Sequence, residues 1–285
     1  MTCACRLCLF FLVAALALPV TGRAEQPPDC IQAFENGHIN WSTGQISATG
    51  TASPEKQIDG SLLPLPGSAR SRATARLIQI LKQIPITPGL RADQYASTHD
   101  KILAGIEKTA QDATTVSQIY TSALDVNIRI TASIFGGFLQ LVLPESIRQI
   151  PKIKNSKPEK HKSPPSPRLN QIPYTGLIID ARKLSLSPIL YPVIVSEAGK
   201  ELYSSVFISR EFAVQYGVCT YICDMKAAMA HKRIGSNPLV FKALRKEGPT
   251  SGHIVVSMAD AKIIETVTER HRFLKECRVI IVTDP

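Results

Sequence analysis

The chain has 285 residues, 44% of them hydrophobic and 20% charged, and a formal net charge of +10. That balance supports a packed core and excludes a disordered polyelectrolyte. The lysines and arginines are scattered and few aromatics accompany them, so the charge predicts attraction to anionic surfaces such as lipid head groups or acidic polymers, and not nucleic acid.

The first residues contain Arg6, an apolar run over 7–20, and then Thr21-Gly22-Arg23-Ala24. A basic start, an apolar stretch of about 14 residues, and small residues at −3 and −1 predict a cleavable signal peptide over 1–24. A bilayer span needs about 20 apolar residues. Pro19, Thr21 and Arg23 end this run sooner, and no later segment is long and apolar enough. The expected mature protein is therefore periplasmic or outer-membrane-associated, has no transmembrane segment, and begins at Glu25. Arg6 and Arg23 leave with the signal, so the mature charge is +8. Cys30, Cys219, Cys223 and Cys277 remain. In an oxidising compartment four cysteines allow three full pairings. A bridge from Cys277 to Cys219 or Cys223 and a set of buried free thiols are both open.

Short strands are expected over 37–41 and 45–50, joined by a Ser42-Thr43-Gly44 turn. After a polar loop over 52–68, Ala69, Ala73, Leu77, Ile80, Leu81 and Ile84 keep to one face of a helix that Pro85 ends, while Arg72, Arg76 and Lys82 fall off that stripe. A second helix is expected over 97–113. Alternation of Leu124, Val126, Ile128 and Ile130 marks a strand that turns at Gly136-Gly137 into another apolar segment. Residues 151–172 are rich in Pro, Lys and Ser without apolar periodicity and read as a flexible linker. Beyond it come a buried strand over 175–180, a hairpin with Gly199 at a position requiring positive φ, and a helix near 224–231. A strand over 254–256, a helix begun by a Ser257…Asp260 capping pattern, and a final strand over 278–282 complete the chain. The fold class is α+β, with two small sheet-plus-helix domains over 37–150 and 173–285.

No pattern here calls for catalysis. Gly136-Gly137 lacks the rest of a phosphate loop, GxSxG and HExxH are missing, and the six histidines share no ligand spacing. Neither a metal site nor a cofactor is predicted, and Asp224, Asp260 and Asp284 lie too far apart in sequence to be paired as acid and base. The sharpest polar features are Asp180 with Arg182 after a buried strand, and the turn from Arg233 to Asn237. Each could hold an anion. Mutual bracing of Asp180 and Arg182, and a plain loop over 233–237, weigh more heavily.

The pattern Trp41-Ser-Thr-Gly44-Gln-Ile-Ser-Ala-Thr-Gly50, followed by the Ala/Arg-rich helix from Ala69 to Arg76, resembles the FlgP-type flagellar and outer-membrane lipoprotein family. The half containing Gly176-Leu-Ile-Ile-Asp180-Ala-Arg182, Glu197-x-Gly199 and Arg278-Val-Ile-Ile-Val282 is similar to uncharacterised exported proteins of deltaproteobacterial type. The resemblance implies a non-enzymatic module assembling at the outer membrane, around the flagellar motor in the best-known members. The lipobox cysteine of that family is missing. A structural or assembly role with envelope proteins, cell-wall polymer or further copies of the chain as partners is therefore expected. The alternative is a periplasmic anion- or glycan-binding sensory domain using Asp180, Arg182, Arg233 and Asn237.

Overall fold

The computed structural model describes residues 28–143, 147, 173–204, 207–247, 252–268 and 272–285. The expected signal peptide over 1–24 and the expected linker over 151–172 lie outside the described residues. Among the described residues no helix is long and apolar enough to cross a membrane.

The N-terminal lobe is built on β1 (Ile31–Phe34), β2 (Gly37–Asn40) and β3 (Gln45–Ala52). A small hairpin, β4 (Glu55–Lys56) with β5 (Leu62–Leu63), fills the expected loop before α1 (Pro66–Gln83). A second small hairpin, β6 (Pro85–Thr87) with β7 (Leu90–Arg91), precedes α2 (Ala92–Ala96) and α3 (Asp100–Gln111). The lobe closes with β8 (Thr114–Tyr120), β9 (Val126–Ser133) and α4 (Gly137–Val142). The strands form one antiparallel sheet in the order β1-β2-β3-β9-β8.

Helix α1 begins with Pro66, whose missing N–H is one that a first helical turn leaves unpaired anyway. Its buried Ala69, Ala73, Leu77, Ile80 and Leu81 face the sheet. The off-stripe arginines have a definite task. Strand β2 pairs with β3 only as far as Ala48, and beyond that point Arg76 and Arg72 donate to the carbonyls of Thr49 (2.5 Å) and Thr51 (2.7 Å). They satisfy backbone acceptors that the sheet leaves open.

The C-terminal lobe has two four-stranded sheets. One is parallel, in the order β13 (Thr220–Ile222), β17 (Val279–Val282), β10 (Gly176–Asp180), β14 (Pro238–Lys242). The other is mixed: β12 (Glu201–Tyr203), β11 (Val193–Ser196), β16 (His253–Val256), β15 (Arg245–Glu247). Helices α5 (Arg210–Tyr216), α6 (Met225–Ala230) and α7 (Met258–Thr268) complete it. The expected hairpin turn is present, with Gly199 at φ 77°. Ser257 Oγ accepts from the Asp260 N–H at 3.0 Å, as the capping pattern predicts. Strands β10 and β17 are buried on both faces, the state that a continuous apolar run prepares for a parallel sheet. Ile178, Ile222, Ile280 and Val282 pack on Ala228 and Ile234 to form a satellite core, whereas Leu177, Ile179, Val279 and Ile281 belong to the main core.

That main core draws residues from both lobes. Trp41 meets Tyr221 edge to face at 5.8 Å between ring centroids. Backbone N–H groups of Leu190, Tyr191 and Gly136 donate across the boundary to Pro85, Ile86 and Val214 carbonyls. The Phe135 ring sits against both Gly44 and Gly217, two positive-φ glycines from opposite lobes, where a Cβ would come within 2.4 and 2.6 Å of the ring. A disulfide joins Cys30 to Cys223, 193 positions apart. Of the two open readings, this corrects the bridge from Cys277 to Cys219 or Cys223, while Cys219 and Cys277 are buried free thiols as the other had it. The pairing was invisible in sequence because the N-terminal lobe docks Cys30 beside the end of β13.

Among the described residues one buried hydroxyl, that of Tyr191 at this boundary, has no hydrogen-bond partner. Leaving such a group unpaired costs about 1–3 kcal/mol. Tyr191→Phe should therefore leave stability unchanged or raise it by about 1 kcal/mol, which a denaturant midpoint measures.

Candidate functional site

The four residues singled out for anion binding do not converge. Strands β10 and β14 run parallel with Gly176 beside Pro238 and Asp180 beside Lys242. Asp180 and Arg182 thus stand at the carboxyl end of the sheet, and Arg233 and Asn237 at its amino end, about 16 Å away at 3.3 Å per residue.

At the carboxyl end Arg182 grips Asp180 in two parallel hydrogen bonds, Nε to Oδ1 at 2.8 Å and Nη2 to Oδ2 at 2.7 Å. The Arg182 side chain lowers the Asp180 pKa below the ordinary carboxylate value, overriding the opposing effect of partial burial. Tertiary structure also gathers Asp224 and Asp284 around Arg182, two residues whose sequence positions had not suggested a pairing. Each carboxylate is already engaged: Asp224 caps α6 by accepting from the Ala227 N–H at 2.7 Å, and Asp284 accepts from the Lys183 N–H at 2.9 Å. This edge braces itself, as the structural reading of Asp180 and Arg182 anticipated. Among the described residues no group of three His, Cys, Asp or Glu side chains could hold a metal ion.

At the amino end, Arg233 is the middle residue of a 3-10 turn, Lys232–Ile234, which Gly235 ends with φ 70°. Its guanidinium donates from Nε to the Cys277 carbonyl (2.7 Å) and from Nη1 to the Tyr216 carbonyl (2.6 Å) and Thr220 Oγ1 (2.9 Å). Nη2 donates to the Gly217 carbonyl at 2.6 Å. Arg233 thereby ties the end of α5, the start of β13 and the approach to β17 together. Asn237 plays a local role, its N–H donating to Thr175 Oγ1 at 3.0 Å and its side chain to the Pro173 carbonyl at 3.3 Å.

Arg233 also lines a cleft of about 750 Å³ between the lobes. Ser42, Thr43 and Phe135 of the N-terminal lobe form one side, and α5 contributes Phe212 and Tyr216. Lys232, Arg233, Glu276 and Arg278 supply its charges. Glu276 is held by Arg278 Nε at 2.8 Å. His231 stands at the same wall, its pKa lowered by burial and then by the neighbouring Arg233 and Lys232 charges. That favours the neutral ring, whose Nδ1 accepts from the Arg233 N–H at 3.1 Å. Sequence reading missed the cleft because its members come from separated segments and α5 was not expected. The one local signal was the Phe212-x-x-x-Tyr216 spacing, which puts two rings on one helix face.

Residues 176–285 match the family model described as the second domain of Treponema pallidum Tp0624. The C-terminal lobe is thus similar to that domain from its first strand, β10, onward. The match covers Arg233, α5 and Arg278 but not the Ser42 turn or Phe135. No curated protein matches the chain.

Proposed function

We propose that the protein is a non-catalytic structural or assembly component of the cell envelope, exported by its signal peptide to the periplasm or the periplasmic face of the outer membrane. The FlgP-type resemblance of the N-terminal lobe extends this reading to a flagellum-associated role, with envelope proteins or cell-wall polymer as partners. The observation that carries it is strand β8. It lies at the edge of the five-stranded sheet, and no described strand pairs with its outer side. Val116, Ile119 and Tyr120 are about half exposed, and Thr114-Thr-Val-Ser-Gln-Ile-Tyr120 contains neither a charge nor a proline. Natural edge strands usually carry lysine, proline or a covering element against unwanted pairing. Here only a register shift between Thr115 and Ser117 interrupts the ladder. Two copies can pair antiparallel along β8 without like-charge repulsion, continuing the sheet from one molecule to the next.

Light scattering across a concentration series tests this. The parent protein should associate with rising concentration. A Val116→Lys/Ile119→Lys variant should stay monomeric with its melting temperature nearly unchanged, because both side chains are already exposed. A parent protein that remains monomeric throughout would rule out self-assembly through β8.

A further inference from the structure

We infer that the inter-lobe cleft is a binding site for an acidic carbohydrate, a sugar chain bearing carboxylate groups. The inference deepens the anion- or glycan-binding alternative and moves it from Asp180 and Arg182 to a different set of residues.

Charge comes first. Three cations face the cleft against one carboxylate, and Glu276 is already taken by Arg278. Every hydrogen bond from the Arg233 side chain goes to a neutral oxygen. Among the described residues neither Arg233 nor Lys232 has an ion-pair partner. A half-buried cation without a counter-ion is unfavourable in a folded protein unless something supplies the negative charge. Three backbone carbonyls and one hydroxyl fix the Arg233 guanidinium, leaving one Nη2 N–H uncommitted. Such a group is pre-organised, so little ordering is lost when an anion arrives.

The remaining lining points to a sugar ring. Phe212 and Tyr216 lie with centroids 6.4 Å apart and planes inclined by 28°, an extended apolar surface on which the C–H face of a pyranose can rest. Tyr216 is 47% exposed and so is available for it. Across the cleft, Ser42 and Thr43 carry hydroxyls, groups that donate and accept and so suit those of a saccharide, and the Ser42 hydroxyl, which accepts from the Cys30 N–H at 2.9 Å, keeps its own proton to donate. The volume falls within the roughly 300–1,000 Å³ of ordinary ligand sites. An excess of two charges is too small for nucleic acid, which demands a basic stripe along the backbone path. The two walls are held in register by Phe135 between Gly44 and Gly217 and by the Cys30–Cys223 bridge.

Calorimetric titration with tetragalacturonate, its neutral methyl ester and inorganic phosphate tests the assignment. Tetragalacturonate should bind the parent protein, and the ester and phosphate at least tenfold more weakly. Lys232→Glu and Tyr216→Ala, both at exposed positions, should each weaken tetragalacturonate at least tenfold while circular dichroism stays unchanged. Arg233 is left intact because its bonds hold the fold. Co-sedimentation with insoluble polygalacturonate distinguishes the sources: pelleting of the parent protein but not of Lys232→Glu assigns a polymer, and tetragalacturonate binding without pelleting assigns a soluble oligosaccharide. Absence of tetragalacturonate binding, equal affinity for phosphate, or undiminished binding by Lys232→Glu would each overturn the proposal. The Val116→Lys/Ile119→Lys variant should bind as the parent does, so the outcome is separable from that of the edge-strand reading.

Discussion

Gly50→Ala should unfold the protein or lower its stability by at least about 4 kcal/mol, among the largest effects a single methyl group can have. Gly50 lies in β3 directly beneath α1. A Cβ built there falls 2.1 Å from the Ala69 carbonyl oxygen and 2.3 Å from the Ala73 N. Both are backbone atoms in the middle of a helix, so no side-chain rotation relieves the clash. The helix would have to lift off, taking Leu77 and Ile80 away from the sheet and opening the core along its length. Overpacking normally costs about 1–3 kcal/mol because neighbours yield; these cannot. Gly67→Ala in the same helix is the control. Nothing lies within 4 Å of a Cβ at that position, so the change should be neutral or slightly stabilising through the lost freedom of the unfolded chain. Chemical denaturation of both variants checks the contrast, and a Gly50→Ala protein with the parent's midpoint would show that helix and strand do not approach so closely.

Removing the disulfide should have the next largest effect. In the protein from Glu25 onward, Cys30→Ala/Cys223→Ala should lower stability by roughly 3–5 kcal/mol, since the bridge closes a very long loop in the unfolded chain. For a chain of this size each kcal/mol shifts the melting temperature by about 2–4 °C, so thermal melts with and without reductant measure it. Thiol counting tests the pairing independently. Burial raises the Cys219 thiol to about 12 and the Cys277 thiol to about 11, so at pH 8 neither is appreciably thiolate and native protein should resist alkylation. Unfolding without reductant should expose two reactive thiols, the number left once Cys30 and Cys223 are bridged, and reduction should double that. Blocking then mapping the free pair as Cys219 and Cys277 would establish the bridge; finding Cys277 bridged would refute it.

Much of the secondary structure was legible where one face is buried and the other exposed. Helix α1 shows its stripe because only that face touches the sheet, and β10 and β17 show unbroken apolar runs because both faces are covered. Strand β8 escaped because neither face is buried, so nothing imposes an alternation on Thr114 to Tyr120. Strand β13 and helix α5 were too short to display a period. The expected helix over 97–113 is formed at Asp100–Gln111, with Ile102, Ile106 and Ala110 buried, and the separate short helix α2 precedes it.

The sequence alone determined the α+β class, the principal strands and helices, and the preference of Asp180 and Arg182 for each other, because these depend on neighbours within a few residues. The signal-peptide reading rests on the same kind of local pattern. Only tertiary structure decided the rest. It packed the two lobes against each other, so that residues of both contribute to one contiguous core. It brought Cys30 to Cys223 in preference to the pairings nearer in sequence. It also separated Asp180 from Asn237 by the length of a strand, while assembling Ser42, Phe135, Tyr216, Lys232 and Arg278 around one cleft. Proximity in a sheet is set by strand order and direction, and β13-β17-β10-β14 is an order that no reading along the chain supplies.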